Sequence, residues 1–307
     1  MFKKDRFTIG DLCEADLLKA IDLAPMDPEP QRWLGRLKRE QGDARGGDEI
    51  FAKAVELAKA TDEPRLVLVA LRDWAENQLL LEQVDEAHQR ADQIADLKPL
   101  RWMRDAGPFQ KLAAFIHGEA WFRLSKWSDA IAAYDQALPS DKLDSATLDD
   151  LPLLMHRAEA RCRLKLAESE AVVAASKLSL TELLRARSLA ADSLTQAAIH
   201  AQAAGFAIRA VEALPPGDIR ASQLRQEGLD QAQAALALNA TSQESVAVRL
   251  IQFKLLLHKL AALSPTAPER AALRTQCREL HAEAQRLALQ TGLATELGEL
   301  IRLADRL

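Results

Sequence analysis

The residues best suited to chemistry are thinly spread. Cys277 and His281 stand four apart, the spacing that puts two metal-ligating side chains on one helix face. No other Cys or His is close in sequence: the three Cys are Cys13, Cys162 and Cys277, and the six His are His88, His117, His156, His200, His258 and His281. Two ligands do not hold a metal, so a half-buried Cys beside a surface His is the expectation. Asp149-Asp150 is an adjacent carboxylate pair in a turn-rich stretch (138–152), where acidic side chains serve as helix caps. Neither a Ser–His–Asp order nor a glycine-rich nucleotide loop stands out. The expectation is a protein without catalytic residues, metal or cofactor, and so not an enzyme. Charge is more informative, because Arg32, Arg36 and Arg39 recur at the spacing of one helix face.

Helices must position these side chains. Of 307 residues, 48% are apolar, 28% charged and 5% aromatic, with 12 Gly and 12 Pro. That is too apolar for disorder and too poor in Gly and Pro for a turn-rich β fold. A net charge of −5 argues against a general nucleic-acid binder, which needs excess Lys and Arg. Three scattered cysteines are no disulfide framework and point to a reducing compartment, the cytoplasm. The first residues lack the apolar core of a signal peptide, and no run reaches the roughly 18 apolar residues of a membrane span. Apolar residues recur at helical spacing almost throughout, broken by short stretches such as APMDPEP (24–30), QGDARGGD (41–48) and LPPGD (214–218). About twelve helices, paired as antiparallel hairpins, are predicted.

The segment Ala20-Ile21-Asp22-Leu23 returns as Ala54-Val55-Glu56-Leu57, an offset of 34 residues. Leu34-Gly35, Gly42-Asp43, Phe51 and Ala54 place small residues where two helices cross, with bulky ones beside them. Trp74-Ala75, Val84, Ala87, Ala91, Leu97 and Pro99 form a second such set. Gly118, Trp121, Trp127, Ala130, Tyr134, Ala137 and Leu138 form a third, and Ala158, Arg161 and Ala171 a weaker fourth. Over about residues 10–178 the chain resembles the tetratricopeptide repeat family. The resemblance implies an all-α superhelix of antiparallel helix hairpins, with a half repeat followed by about four repeats in residues 1–178. Residues 179–307 are expected to hold degenerate repeats or a bundle, with 179–205 one long helix. Leu293, Leu297, Leu300, Ile301, Ala304 and Leu307 are expected to seal the end as the apolar stripe of a capping helix.

Gly46–Ile50 spells GGDEI, the loop string of diguanylate cyclases, but its flanks are helical and in repeat phase, so Gly47 is expected to fill a close-packing slot. Trp33, Trp74, Trp121, Trp127 and Tyr134 invite a base-stacking reading, yet most fall on core or turn positions of the repeat. The basic pairs Arg36/Arg39 and Arg101/Arg104 read as solvated faces by default.

In the family, the first helix of each unit lines the concave surface. Carried over, that phase gives Arg32, Arg36 and Arg39, then Arg72 and Glu76, then Phe115, Glu119, Phe122 and Arg123, then His156, Glu159 and Arg163. The resemblance thus implies a scaffold or adaptor that binds a protein or peptide carrying acidic and apolar residues, since Arg offers carboxylates a planar fork. A ligand-responsive sensor and an accessory segment of a larger enzyme are the alternatives. Neither nucleic acid nor membrane is an expected partner, and homo-oligomerisation through the C-terminal helices is open.

Overall fold

The computed structural model describes residues 14–61, 63–98, 107–164, 169–215, 218–238 and 243–304. Cys13, Pro99, Arg101, Arg104 and Leu307 lie outside them. The described residues form fourteen α-helices and two short 3-10 helices, with no strand. The chain divides into two compact units, residues 1–141 and 142–307. The boundary read from sequence, at 178, falls inside a continuous helix (Ser169–Leu189).

The first unit holds α1 (Glu14–Leu23), α2 (Pro28–Glu40), α3 (Ala44–Ala60), α4 (Pro64–Leu80), α5 (Val84–Ala95), α6 (Gly107–Arg123) and α7 (Trp127–Ala137). Consecutive helices pack on one another, and α2 also touches α4 as α4 touches α6. The leading helices of the hairpins therefore stack side by side, the tetratricopeptide-like arrangement. Each hairpin turns through one left-handed residue: Gly42 (φ 86°), Glu82 (φ 59°) and Ser125 (φ 57°). Each turn repeats the same backbone bonds, with Asp43 N donating to Lys38 O, Gln83 N to Gln78 O and Lys126 N to Trp121 O. The turns are 40 and 43 residues apart, longer than the 34 read from the sequence. Between the first two turns the extra length is helical, since α3 and α4 run 17 residues each, whereas between the second and third it falls in residues 96–106, which join α5 to α6.

Seven residues before each turn residue stands Gly35, Ala75 or Gly118, all buried. A Cβ at Gly35 would lie 2.8 Å from the Phe51 ring, and one at Gly118 would lie 2.4 Å from the Tyr134 ring. The two helices close because these positions carry no side chain. The GGDEI string lies in the first turns of α3, capped by Asp43, whose carboxylate accepts from Gly46 N at 2.9 Å. A Cβ on Gly47 would meet the Gly35 carbonyl oxygen at 3.1 Å, so this residue fills the packing slot expected of it. The core of the unit gathers Leu68, Leu71, Ile94, Phe109 and Ile116 from α4, α5 and α6.

The second unit opens with 3-10 turns at Ser140–Ser145 and Leu148–Asp150, the first of them starting two residues before the boundary. The Asp150 carboxylate accepts from Thr147 N at 2.9 Å, a capping role. There follow α8 (Leu151–Arg163), α9 (Ser169–Leu189), α10 (Ser193–Ala213), α11 (Ile219–Leu238), α12 (Gln243–Ala262), α13 (Glu269–Thr291) and α14 (Ala294–Ala304). The helix expected over 179–205 is in fact two. Asp192 starts α10 by accepting from Thr195 N at 2.7 Å, and the chain bends there. Hairpins α8–α9, α10–α11 and α12–α13 pair, and α10 touches α8 and α12. The final stripe is rotated from the expected one: Leu300 is fully buried and Leu293 and Leu303 pack beside it, whereas Ile301 is 53% exposed. His281 fixes this helix, its Nε2 lying 3.0 Å from the Leu300 carbonyl oxygen, while Cys277 is buried in the same apolar cluster.

Candidate functional site

Stacking α2 beside α4 brings the arginines of the first two hairpins onto one acidic residue that sequence reasoning passed over. Asp73 is 1% exposed. Its Oδ2 accepts from Arg32 Nη1 at 2.8 Å, and its Oδ1 accepts from Arg72 Nε and Nη2 at 3.2 and 3.0 Å. Its backbone carbonyl accepts from Arg39 Nη1 at 3.3 Å. Arg39 also donates to Glu76 Oε2 at 3.2 Å, and Arg32 to Glu29 Oε2 at 2.9 Å. Burial works against the charge on Arg32, but Glu29 and Asp73 outweigh it and hold its pKa above the ordinary value. Arg72 behaves alike, with Asp73 and Glu76 overcoming burial.

Arg36 is the exception within this cluster. Its Nε is 4.0 Å from Asp73 Oδ2 and has no hydrogen-bond partner among the described residues. The guanidinium lies over the Trp33 ring, 4.6 Å from its centroid, and the side chain is 23% exposed. Four guanidinium groups thus meet the three carboxylates of Glu29, Asp73 and Glu76, leaving an excess positive charge next to Arg36. Arg32, by contrast, is 4% exposed and internal.

The third hairpin contributes differently. Phe115 lies 6.2 Å from the Tyr134 ring, Glu119 accepts the Tyr134 hydroxyl at 2.7 Å, and Phe122 meets Trp127 edge-on at 5.2 Å. Arg123 is exposed at the end of α6. The remaining three expected residues lie on α8 in the other unit. There Glu159 is ion-paired with Arg163 and accepts from Gln202 Nε2 at 3.4 Å, and His156 is half-buried. Each described Trp is half-buried and engaged by its own chain: Trp74 donates to Asp48 at 2.7 Å beneath Arg90, and Trp121 lies between His88 and Lys126.

A second cluster was also missed. His88 of α5 and His117 of α6 stack with ring centroids 4.9 Å apart and Nδ1 atoms 2.6 Å apart. His117 Nε2 is 3.3 Å from Asp92 Oδ1, and His88 Nε2 is buried without a partner. Asp92 favours the His117 tautomer with its proton on Nε2, and in that tautomer His88 Nδ1–H donates to His117 Nδ1 and the orphaned His88 Nε2 is a lone pair. Burial, then His117, lower the His88 pKa against the pull of Asp92 and Asp85. Among the described residues no group of three or more His, Cys, Asp or Glu is placed to hold a metal ion.

No protein-family model matches the chain, and no curated protein matches it. Among solved structures, it is similar to the C-terminal part of a TPR repeat-containing protein from Cytophaga hutchinsonii. That similarity has 12% identity and a TM-score of 0.42, over 85% of this chain and 92% of the other.

Proposed function

We propose that the protein is a non-enzymatic scaffold whose α2–α4 face docks a protein segment carrying acidic and apolar residues. The observation that carries this reading is Arg36: a guanidinium with an unsatisfied Nε, preorganised on an indole, in a cluster with one more cation than anions. An incoming carboxylate completes that cluster without ordering a flexible side chain first, which lowers the entropy cost of binding. Phe115 and Phe122, half-buried on the third hairpin, supply apolar contact. Cys162 and Cys277 are free thiols, which fits a reducing compartment and supports a cytoplasmic setting. No described helix is long and apolar enough to cross a membrane.

The test is fluorescence anisotropy on peptides that alternate Asp or Glu with Leu or Phe, with Lys-substituted peptides as controls. Acidic peptides are expected to bind with an affinity that falls as salt rises. Arg36→Glu and Arg72→Glu are each expected to weaken the best peptide at least about tenfold, or about 1.4 kcal/mol. Unchanged affinity in Arg36→Glu would discard the docking face.

A further inference from the structure

The second unit contains a half-open cavity of about 230 Å³ that the docking reading does not use. Helices α9 and α11 both pack against α10, and both line this cavity together with α10. Its wall is apolar, with Leu183 and Leu184 from α9 and Ile199 from α10, and Leu184 is 50% exposed there. The polar groups are few and of opposite character. Arg187, from α9, is exposed and forms no ion pair or hydrogen bond among the described residues. Glu227, from α11, accepts from Gln223 at 2.8 Å and meets no cation among the described residues, so it is not paired with Arg187. His200, from α10, is 7% exposed, and its Nδ1 lies 2.6 Å from Gln231 Oε1. An amide oxygen can only accept, so Nδ1 donates to it.

We propose that this cavity binds a free α-amino acid with an apolar side chain, of the size of leucine or phenylalanine. Arg187 takes the carboxylate as a two-pronged donor, Glu227 takes the ammonium, and the side chain covers Leu183, Leu184 and Ile199. The two unpaired, opposite charges select this class. A simple fatty acid would satisfy Arg187 and leave Glu227 without a cation, and an alkylamine would satisfy Glu227 and leave Arg187 without an anion. The size agrees, because a cavity of about 150 Å³ already admits benzene. Bound in this way, the ligand bridges α9 and α11, two helices of neighbouring hairpins.

Isothermal titration of the full chain with L-leucine, L-phenylalanine, N-acetyl-L-leucine, L-leucinamide, isovalerate and glycine tests this. Leucine or phenylalanine is expected to bind, and both capped leucines, isovalerate and glycine to bind at least about tenfold more weakly. Arg187→Gln is expected to remove the preference for leucine over leucinamide, and Glu227→Gln the preference over N-acetyl-leucine. Arg187 is exposed and Glu227 half-buried, and a thermal melt of each variant checks the fold. Arg36→Glu is expected to leave leucine binding unchanged, which separates this site from the docking face. The proposal is overturned if neither leucine nor phenylalanine binds at about 10 mM. It is equally overturned if isovalerate or glycine binds as well as leucine, or if Arg187→Gln keeps full discrimination.

Discussion

Asp73 decides whether the arginines of the first unit are stable where they are. A carboxylate that is 1% exposed survives because Arg32, Arg72 and the edge of Arg36 surround it, and Arg32 is itself almost fully buried. Removing one member of such a cluster leaves the other charged and desolvated. Asp73→Asn is therefore expected to cost about 3–5 kcal/mol, read from urea unfolding. The double variant Arg32→Met/Asp73→Leu should be less destabilised than Asp73→Asn, since it removes the buried charge with its partner. A double variant as unstable as the single one would show that the ion pair itself, rather than the uncompensated charge, carries the stability. The arginine stripe was visible in the sequence because its spacing matches one helix face. Its neutralisation was not, because Asp73 is 41 residues from Arg32 and only the stacking of two hairpins joins them. The two histidines, 29 residues apart, were hidden for the same reason.

At the scale of helices, identical substitutions have opposite expected signs according to what stands opposite. Gly118→Ala drives a Cβ into the Tyr134 ring and should destabilise by about 1–3 kcal/mol. Gly205→Ala, inside α10, meets nothing nearer than Ile251 at 3.8 Å and should stabilise by about 0.5–1 kcal/mol, because a helix-interior glycine is entropically costly. Thermal melts of the two variants compare them directly. The contact between α5 and α6 should also respond to acid. The folded state holds the His88 pKa below its ordinary value of 6.5, so the stabilisation is complete above that pH and declines as pH falls through it toward the lower folded value. Protonated His88 would be a half-buried cation beside His117 and Lys126, only partly offset by Asp92 and Asp85. Urea midpoints measured between about pH 8 and pH 5 should fall, and His88→Gln should flatten that slope. Helix existence, the close-packing glycines and the hairpin pairing were legible in sequence. The break at Asp192 and the rotation of the last stripe were not, since a run such as SLAADSL keeps helical spacing across the cap and Leu300, Ile301 and Leu303 differ only in phase.

For the whole molecule, each compact unit has its own apolar cores, including the cluster of Leu71, Ile94, Phe109 and Ile116 in one and that of Phe253, Leu256, Cys277 and Leu300 in the other. A fragment of residues 142–307 is therefore expected to fold alone, with a cooperative circular-dichroism melt. A non-cooperative melt would show that its hairpins need the first unit. His281→Ala should loosen α14 selectively, seen as faster amide exchange over 294–304, because the bond to Leu300 is lost.

The three left-handed turns of the first unit share one hydrogen-bond pattern, yet the chain between them is not of constant length, and the small residue before each turn differs: Gly35 faces Phe51, Gly118 faces Tyr134, and Ala75 shares a buried cluster with Ala91. Tandem modules risk exchanging partners as the chain emerges, one module closing on the wrong neighbour. Here a module that mispaired would set an aromatic ring against an alanine where a glycine gap is required, or would carry helices of the wrong length. The irregularity that blurred the period in the sequence is thus a safeguard of correct assembly, and making the three modules identical should raise their tendency to misassemble.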